Sequence, residues 1–226
     1  QDSFALCDKL LSETESSYGV KTLISVAITL GQKGKKPVNF QRLADLGASA
    51  YTDDGVGVVD DDIMRAVFRA SSQNGLPVLQ HAEMPGHGAI LAEGPVQKKL
   101  GIKPYPRSAE IEMVRRDLRL LAEYPEARYH VLHVSCKETA DLVQAAKAQG
   151  LRATCEVTPH HLFLCSDNIQ DLKTSYKMNP PLRGAEDRAA LQLSLAEGQI
   201  DFVSTDHAPH EDNVKGANFK TAAFGT

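Results

Sequence analysis

Residues 204–210 read STDHAPH, and the apolar run IDFV at 200–203 comes directly before them. The apolar run predicts a short buried strand, so Asp206 and two histidines follow at the point where that strand ends. In parallel α/β folds, the carboxyl ends of the strands are where catalytic groups gather. We therefore expect a functional site at this edge of a parallel sheet.

Three more apolar runs lead into side chains of the same kind. His81 closes the run VLQH, His133 closes the run HVLH, and Asp53-Asp54-Gly55 follows another run. A single histidine at a strand end is more often a structural residue, and an Asp-Asp-Gly segment alone is compatible with an ordinary turn. Four strand ends that each carry His or Asp favour a set of metal ligands instead.

The order helix, glycine, buried strand and polar loop recurs along the chain. Gly47, Gly75, Gly150 and Gly198 each stand between a helical pattern and an apolar run. Glycine after a helix supplies the left-handed residue that ends it, and short buried strands alternating with helices predict a parallel sheet. The predicted pairs of helix and strand are 3–15 with 22–29, 38–46 with 48–52, 61–74 with 77–82, 108–123 with 128–135, 137–149 with 151–157, and 185–197 with 200–205.

Six such units fit two architectures, a barrel and an open sheet. A closed (β/α)8 barrel uses eight units and about 250 residues, whereas an open doubly wound sheet also accommodates six. Side chains from four strands converge at the mouth of a barrel, but they spread along an open edge because neighbouring strands lie about 4.8 Å apart. We therefore predict an α/β fold, an incomplete (β/α)8 TIM-like barrel that occupies residues 1–226 with no second domain.

The composition argues against several classes of protein. The chain has 226 residues, a net charge of −4 and a pI near 6.1, and its scattered Lys and Arg form no basic face for nucleic acid. No apolar run approaches the roughly 20 residues that cross a bilayer, and no signal-peptide pattern opens the sequence. The four cysteines lack C-x-x-C spacing, so neither a zinc finger nor a disulfide framework is indicated. We expect a cytoplasmic protein.

The four strand ends carry the donor atoms of a divalent cation site. Two neutral imidazoles, His81 and His133, and two carboxylates, Asp54 and Asp206, suit zinc or a similar ion. One carboxylate can bridge two metal ions. Another can take a proton from the attacking water and pass it to a leaving group, a step worth about 10²–10⁴ in rate. We predict Asp54 as the bridge and Asp206 as the proton shuttle.

The remaining histidines of the middle of the chain receive other predictions. Strand alternation places His130 on the face opposite His133 and therefore toward the helices. His160 and His161 follow Thr-Pro and are expected to pack or to support ligands rather than to bind metal. His87 lies in a predicted surface loop and receives no role.

Two long segments, 84–107 and 158–184, follow predicted strands and are rich in Pro and Gly. Long loops on the carboxyl side of strands are usually functional. The second segment contains KMNPPLR at 177–183, which alone is compatible with a rigid Pro-Pro loop. We expect Asn179 and Arg183 in this loop to face the same mouth as the ligands.

Together these segments resemble the dihydroorotase family of the amidohydrolase superfamily. The resemblance runs from about residue 25 to the end of the sequence. Allantoinases and dihydropyrimidinases are similar, but they usually carry Cys-Pro-His-Tyr and a carboxylated lysine where this sequence has Thr-Pro-His-His and Asp-Asp-Gly. The resemblance is therefore to the aspartate-bridged bacterial type. The segments that carry it are YTDDGVG at 51–57, HAE at 81–83, HVSCKET at 133–139, EVTPHHL at 156–162, KMNPPLR at 177–183 and TDHAPH at 205–210.

The resemblance implies a reaction and a role for each matching residue. The reaction is the reversible, zinc-dependent hydrolysis of (S)-dihydroorotate to N-carbamoyl-L-aspartate in pyrimidine synthesis, with one or two zinc ions. Asp54 matches the bridging carboxylate, and Asp206 matches a metal ligand that also moves the proton. Asn179 and His210 match positions that contact the substrate. The positions that match metal ligands are Asp54, His81, His133 and Asp206.

The family's His-x-His-x-Arg motif, which supplies two more zinc ligands and an arginine for the substrate carboxylate, does not occur in this sequence. We therefore expect a partial chain that does not turn over dihydroorotate alone. The resemblance also implies a homodimer or association with aspartate transcarbamoylase. Two alternatives stay open: an allantoinase- or dihydropyrimidinase-like cyclic amidase, and a non-catalytic dihydroorotase-like scaffold of aspartate transcarbamoylase. The intact acids and histidines argue against the scaffold.

Overall fold

The computed structural model describes residues 4–17, 21–169, 172–216 and 218–225. Within these residues, six strands form a single sheet in which every neighbouring pair is parallel. The strands are β1 (Ser25–Val26), β2 (Ala50–Thr52), β3 (Val78–Gln80), β4 (Tyr129–Val131), β5 (Ala153–Val157) and β6 (Phe202–Val203).

The described residues also form nine α-helices, and most of them connect consecutive strands. Short 3₁₀ turns at Leu30–Gln32, Ser166–Asn168 and Thr174–Tyr176 lie in the loops. The helices are α1 (Phe4–Ser17), α2 (Phe40–Asp45), α3 (Asp61–Asn74), α4 (Pro95–Leu100), α5 (Arg107–Leu121), α6 (Lys137–Ala148), α7 (Pro159–Phe163), α8 (Ala185–Ala196) and α9 (Asp212–Lys215).

The strand order distinguishes the two predicted architectures. The strands lie side by side in chain order, from β1 to β6. A doubly wound sheet reverses its order at a switch point, whereas a βα-barrel adds each new strand to the same side of the last one. The order found here contains no reversal, so the barrel-type α/β fold is confirmed.

The core lies between the sheet and the helices that cover its outer face. In α3, Ile63, Val67 and Phe68 are buried on one face at helical spacing. The ring of Tyr129 in β4 packs edge-on against Phe68 with 5.7 Å between centroids, and its hydroxyl donates to Asp117 of α5 at 2.8 Å. Burying each large apolar side chain contributes about 1.5–3 kcal/mol, so this contact layer holds the helices to the sheet.

Local signals in the sequence fix both ends of α3. The Asp60 side chain accepts hydrogen bonds from the backbone N–H groups of Asp62 and Ile63, at 2.8 and 3.0 Å, and this satisfies donors that a helix leaves unpaired. At the other end, Gly75 adopts φ 77° and its N–H donates to Ser71 O at 2.8 Å. A left-handed residue at this point favours glycine, as the repeated pattern predicted.

The strands are shorter than predicted, and the long loops contain more structure. The predicted strand 128–135, for example, is a regular strand only over Tyr129–Val131, although Leu132 and Val134 still donate single backbone hydrogen bonds to the neighbouring strands. The segments predicted as loops contain α4 and α7. The predicted burial of the β6 run is also wrong in part. Phe202 and Val203 are 49% and 45% exposed, because among the described residues β6 pairs with β5 alone.

All four cysteines, Cys7, Cys136, Cys155 and Cys165, are buried free thiols. Burial raises the pKa of the Cys155 thiol to about 12, so this sulfur stays protonated and packs as an apolar group. No helix of the described residues is long and apolar enough to cross a membrane.

Candidate metal centre

Three predicted ligands meet beyond the carboxyl ends of β2, β3 and β4. Asp54 Oδ1 lies 3.6 Å from His81 Nδ1 and 3.6 Å from His133 Nε2, and the two nitrogens lie 3.0 Å apart. Donor atoms bound at 2.0–2.1 Å to a tetrahedral zinc ion are separated by about 3.3 Å. The spacing and the chemistry of this donor set therefore fit one divalent cation.

The two adjacent aspartates of the Asp-Asp-Gly segment have different tasks. Asp53 is buried, and its Oδ1 accepts from the backbone N–H groups of Ile28 and Thr29 at 2.8 and 3.0 Å. These bonds tie the end of β1 to the end of β2. Asp54 turns toward the histidines, while its Oδ1 also accepts from Gly55 N at 2.8 Å. Asp53 therefore has the structural role of a turn residue, and Asp54 occupies the position predicted for a metal ligand.

The backbone after β4 turns His133 toward this centre. His133 has φ 34°, a left-handed value that is uncommon outside glycine, so strand alternation does not extend from His130 to His133. The prediction that His130 faces the helices is wrong. Its ring nitrogens contact Thr154 Oγ1 at 2.8 Å and Glu156 Oε2 at 3.1 Å, on the inner face of the sheet opposite Tyr129.

A cavity of about 220 Å³ lies beside the three ligand atoms. Asp206, which has φ 46°, lines this cavity from the loop after β6, and Asn179 lines it from the Pro-Pro loop. The structure therefore brings all four predicted metal ligands and one predicted substrate-binding residue to a single cavity. The residues that line it are Asp54, Gly55, His81, His133, Asn179, Asp206, Ala208, Phe224 and Gly225.

The other predicted substrate-binding residue, His210, lies next to this cavity rather than on its wall. Its Nε2 is 2.7 Å from the carbonyl oxygen of Phe224, and it lines a neighbouring cavity that also borders Gly225. His210 therefore holds the segment that forms one wall of the metal cavity.

The expectation for Arg183 is wrong. Its guanidinium is buried and donates from Nε to Ser135 Oγ at 3.0 Å and from Nη1 to Tyr105 O at 3.1 Å. A buried charged group needs such partners, and they come from the loop after β4 (Ser135) and from the segment before α5 (Tyr105). Arg183 does not line the cavity beside the three ligand atoms. His161 fits its predicted packing role, because its Nε2 lies 3.1 Å from the carbonyl oxygen of Pro180.

The charges of the site shift several pKa values. Burial alone would raise the pKa of Asp54, but hydrogen bonds with His133 and His81 hold it well below its usual range. Burial alone would lower the pKa of His81, but Asp54 and Glu83 raise it to about 9. Burial raises the pKa of Asp206; His133 opposes this shift and the negative charge of Asp54 adds to it. The pKa values of the two acids are therefore shifted in opposite directions, that of Asp54 downward and that of Asp206 upward.

Sequence reasoning assigned no role to Glu83, although its carboxylate touches a predicted ligand. Glu83 Oε2 lies 3.0 Å from His81 Nε2, and Oε1 lies 2.9 Å from His87 Nε2. Burial would raise the pKa of Glu83, but hydrogen bonds from His81 and Asn179 lower it to about 2. The sequence signal for Glu83 was its place in the HAE segment at 81–83, which is part of the resemblance but gave Glu83 no role of its own.

Comparison with known proteins identifies the family. A model of the dihydro-orotase-like family matches residues 7–139, more than half of the chain. This chain belongs to that family. The dihydroorotase of Halalkalibacterium halodurans is 44% identical over 227 residues, which cover 99% of this chain and 53% of the relative. The dihydroorotase of Bacillus subtilis is 42% identical over 208 residues, which cover 91% of this chain and 48% of the relative. The dihydroorotase-like chain thus spans about half the length of these curated relatives.

Solved structures show the same fold at lower sequence identity. A D-hydantoinase superposes with a TM-score of 0.80 at 17% identity, covering 100% of this chain and 52% of the other. The L-hydantoinase (dihydropyrimidinase) of Arthrobacter aurescens superposes with a TM-score of 0.79 at 24% identity, covering 97% of this chain and 51% of the other. The Saccharomyces cerevisiae dihydroorotase in complex with 5-fluoroorotic acid superposes with a TM-score of 0.72 at 17% identity, covering 96% of this chain and 62% of the other. The six parallel strands of the dihydroorotase-like chain therefore match part of these barrels.

Proposed function

We propose that this dihydroorotase-like chain carries half of the active site of a zinc-dependent dihydroorotase. That enzyme hydrolyses the cyclic amide of (S)-dihydroorotate reversibly to N-carbamoyl-L-aspartate in pyrimidine synthesis. The observation that supports this function best is the convergence of Asp54 Oδ1, His81 Nδ1 and His133 Nε2 within 3.6 Å of one another. Asp206 lines the same cavity, and relatives up to 44% identical over nearly the whole chain are dihydroorotases.

The donor set defines where the cation binds and what it contributes. Asp54, His81 and His133 would hold zinc, which when bound polarises the amide carbonyl and lowers the pKa of water. Ionised Asp54 brings the negative charge that a divalent ion needs. The two imidazoles offer different ring nitrogens, Nδ1 of His81 and Nε2 of His133, because each ring enters from a different strand end.

The proton shuttle in this proposal is Asp206. Water attacks the ring carbonyl carbon, and Asp206 takes a proton from that water. As the carbon–nitrogen bond breaks, Asp206 returns the proton to the departing nitrogen, so the ring opens to a carboxylate and a carbamoyl amine. Its raised pKa suits a group that must accept and release a proton. Asn179, on the cavity wall, and His210, beside it, are the proposed substrate contacts.

We also propose that the 226 residues alone do not complete the reaction. The His-x-His-x-Arg motif that the resemblance implies for the other zinc ligands and the substrate carboxylate lies outside them. The number of zinc ions, a homodimer and association with aspartate transcarbamoylase stay predictions of the same resemblance.

The function is tested by assaying the 226-residue chain and the complete reading frame that contains it, both loaded with zinc. The substrates are dihydroorotate, N-carbamoyl-L-aspartate for the reverse reaction, dihydrouracil and allantoin. We expect the complete protein to act on the first two and the 226-residue chain to act on none. If the complete protein hydrolyses dihydrouracil or allantoin faster than dihydroorotate, the proposed substrate is wrong. Full dihydroorotase activity of the 226-residue chain contradicts the division of the site.

A further inference from the structure

The carboxylate of Glu83 joins three separate segments of the chain next to the candidate metal centre. Its Oε2 lies 3.0 Å from His81 Nε2 and 2.7 Å from Asn179 Nδ2, and its Oε1 lies 2.9 Å from His87 Nε2. The side chain of Glu83 is 21% exposed, whereas those of His81 and His87 are 4% and 9% exposed. Three hydrogen-bond donors therefore converge on one carboxylate that is largely shielded from water.

The hydrogen bonds of His87 fix which of its nitrogens carries the proton. The backbone N–H of Ala89 donates to His87 Nδ1 at 3.1 Å, so Nδ1 is an acceptor and Nε2 carries the hydrogen. His87 Nε2 then donates to Glu83 Oε1. The ring of His87 packs on Tyr105 with 4.2 Å between centroids, which holds this donor in place. His87, for which no role was predicted, thus anchors Glu83.

The same reasoning fixes His81. An ionised carboxylate only accepts hydrogen bonds, so the 3.0 Å contact between His81 Nε2 and Glu83 Oε2 requires the proton on Nε2. In the neutral imidazole that binds a cation, the lone pair is then on Nδ1, which is the atom that faces Asp54 and His133. A metal-binding histidine whose second nitrogen donates to a carboxylate has a fixed tautomer and a more basic ligand atom.

Glu83 also fixes the direction of the Asn179 amide. Because Nδ2 donates to Glu83 Oε2, the amide carbonyl must point the other way. Asn179 Oδ1 is buried and has no hydrogen-bond partner among the described residues, and Asn179 lines the metal cavity. A buried acceptor without a partner is costly, so this oxygen is set up to accept from a bound N–H donor such as that of a cyclic amide.

The backbone around Glu83 is tightly packed as well. A Cβ atom added to Gly57 would lie 2.6 Å from Glu83 O and 2.7 Å from Met113 Sδ, so the loop after β2 rests directly on the Glu83 peptide. The loop that carries Asp54 therefore packs directly against the backbone of Glu83.

We propose that Glu83 is a positioning residue that selects Nδ1 of His81 as the metal ligand and directs Asn179 Oδ1 into the cavity. The effect of Glu83 on metal binding rests on the proposed metal centre. The hydrogen-bond arrangement itself is a property of the metal-free chain. Glu83 acts through its two neighbours and does not touch the reacting atoms.

The test is the variant Glu83→Gln, which keeps the length of the side chain but replaces one carboxylate oxygen by a donor. Zinc affinity is measured by competition with a chromophoric chelator in the chain that contains all its zinc ligands. We expect a 10- to 100-fold weaker affinity, the range found when the carboxylate partner of a ligating histidine is removed. Glu93→Gln is the matched control, because Glu93 is 72% exposed and pairs with Lys98 on the surface; it should leave the affinity unchanged.

A spectroscopic readout separates positioning from a general loss of packing. In ¹⁵N-labelled protein, the Nε2–H proton of His81 should give a downfield, slowly exchanging signal in both the metal-free and the zinc-bound wild-type chain. Glu83→Gln should lose this signal in both states while the signals of other buried amides persist. If Glu83→Gln does not fold, Glu83→Asp, which keeps the charge but shortens the reach, must show the same loss of signal.

The outcomes distinguish the two proposals. Wild-type zinc affinity in Glu83→Gln, or an unchanged His81 Nε2–H signal in the metal-free chain, overturns the role of Glu83. Failure of the wild-type protein to bind zinc overturns the proposed metal centre instead, and in that case the metal-free signal still decides whether Glu83 fixes His81.

Discussion

His81 Nδ1 and His133 Nε2 lie 3.0 Å apart although 52 positions separate the two residues in sequence. Their strands β3 and β4 are parallel neighbours whose register pairs Gln80 with Val131. His81 comes one position after its strand, and His133 comes two positions after its own, where its left-handed backbone swings the ring toward its neighbour. The two rings, which come from adjacent strands, therefore present different nitrogen atoms to the same position. Asp54 Oδ1 is the third donor atom there.

The first prediction concerns this ligand set. His133→Ala removes one of three donor atoms that already have the spacing of a cation site, so zinc affinity should fall by at least about 100-fold. Isothermal titration or competition with a chelator measures the change. His207→Ala is the control, because His207 is exposed on the loop after β6. Equal zinc affinity of wild type and His133→Ala would show that the three atoms do not act as ligands.

The second prediction concerns Asp206 as the proton shuttle, and the zinc content of the variant is measured with its kinetics because Asp206 is also a predicted metal ligand. Asp206→Asn keeps the size of the side chain but cannot accept the proton of an attacking water. In the complete enzyme, kcat for dihydroorotate should fall by about 10²–10⁴, the usual contribution of general acid–base catalysis. KM should change little. Asp167→Asn, an exposed acid on a different loop, is the comparison. A kcat within a few-fold of wild type would rule out Asp206 as the shuttle.

The sequence predicts the sheet and the ligands because both depend on local chemistry that repeats. Each apolar run is followed by a polar residue at a strand end, and parallel strands bring all their carboxyl ends to one edge. The convergence of Asp54, His81 and His133, and the position of Asp206 on the wall of the same cavity, could therefore be predicted from the sequence. The glycine after each helix, such as Gly75, set the boundaries with similar reliability.

The sequence-based predictions fail where the direction of a side chain depends on contacts with distant parts of the chain. The orientation of His130 was inferred by counting back from His133, and a single left-handed residue makes that count invalid. Arg183 was placed at the cavity because its loop is there, but the partners that accommodate its charge, Ser135 and Tyr105, come from distant segments. Glu83 was missed because its importance depends on three partners that no sequence period connects.

The third prediction concerns the ion pair that joins α5 to α8. Asp187 is buried at 2% side-chain exposure, and Arg107 meets it with two hydrogen bonds, Nη1 to Oδ2 at 2.5 Å and Nη2 to Oδ1 at 2.8 Å. Arg107→Ala leaves this carboxylate without its cation. We expect a loss of about 2 kcal/mol in the free energy of unfolding, below the 3–5 kcal/mol of fully buried pairs, because Arg107 is itself partly exposed.

The matched control for this pair is Arg115→Ala in the same helix. Arg115 pairs with Glu112, and both side chains are more than half exposed, so its loss should cost about 0.5 kcal/mol or less. Urea unfolding followed by circular dichroism measures both variants. Similar destabilisation by the two substitutions would show that the burial of Asp187 does not set the strength of the pair.

The fourth prediction is a pH dependence of stability that comes from Asp117. This residue belongs to α5, and its side chain is fully buried. The carboxylate accepts from Gln80 Nε2 at 2.9 Å and from the Tyr129 hydroxyl at 2.8 Å. Burial raises the pKa of Asp117 to about 6, although the charge of Arg116 and these two hydrogen bonds oppose the shift. In the unfolded chain, the pKa of an aspartate is about 3.9.

Between about pH 4 and pH 6, the folded chain therefore holds a proton on Asp117 that the unfolded chain has released. Stability from this group is fully present below pH 4, falls as the pH rises, and levels off above pH 6, with a total loss of about 3 kcal/mol. Asp117→Asn cannot ionise, so its free energy of unfolding relative to wild type should rise by that amount between pH 4 and pH 7. Urea unfolding at both pH values measures this difference, with the exposed substitution Asp141→Asn as the control. A difference between Asp117→Asn and wild type that is the same at pH 4 and pH 7 would mean that Asp117 ionises normally in the folded chain.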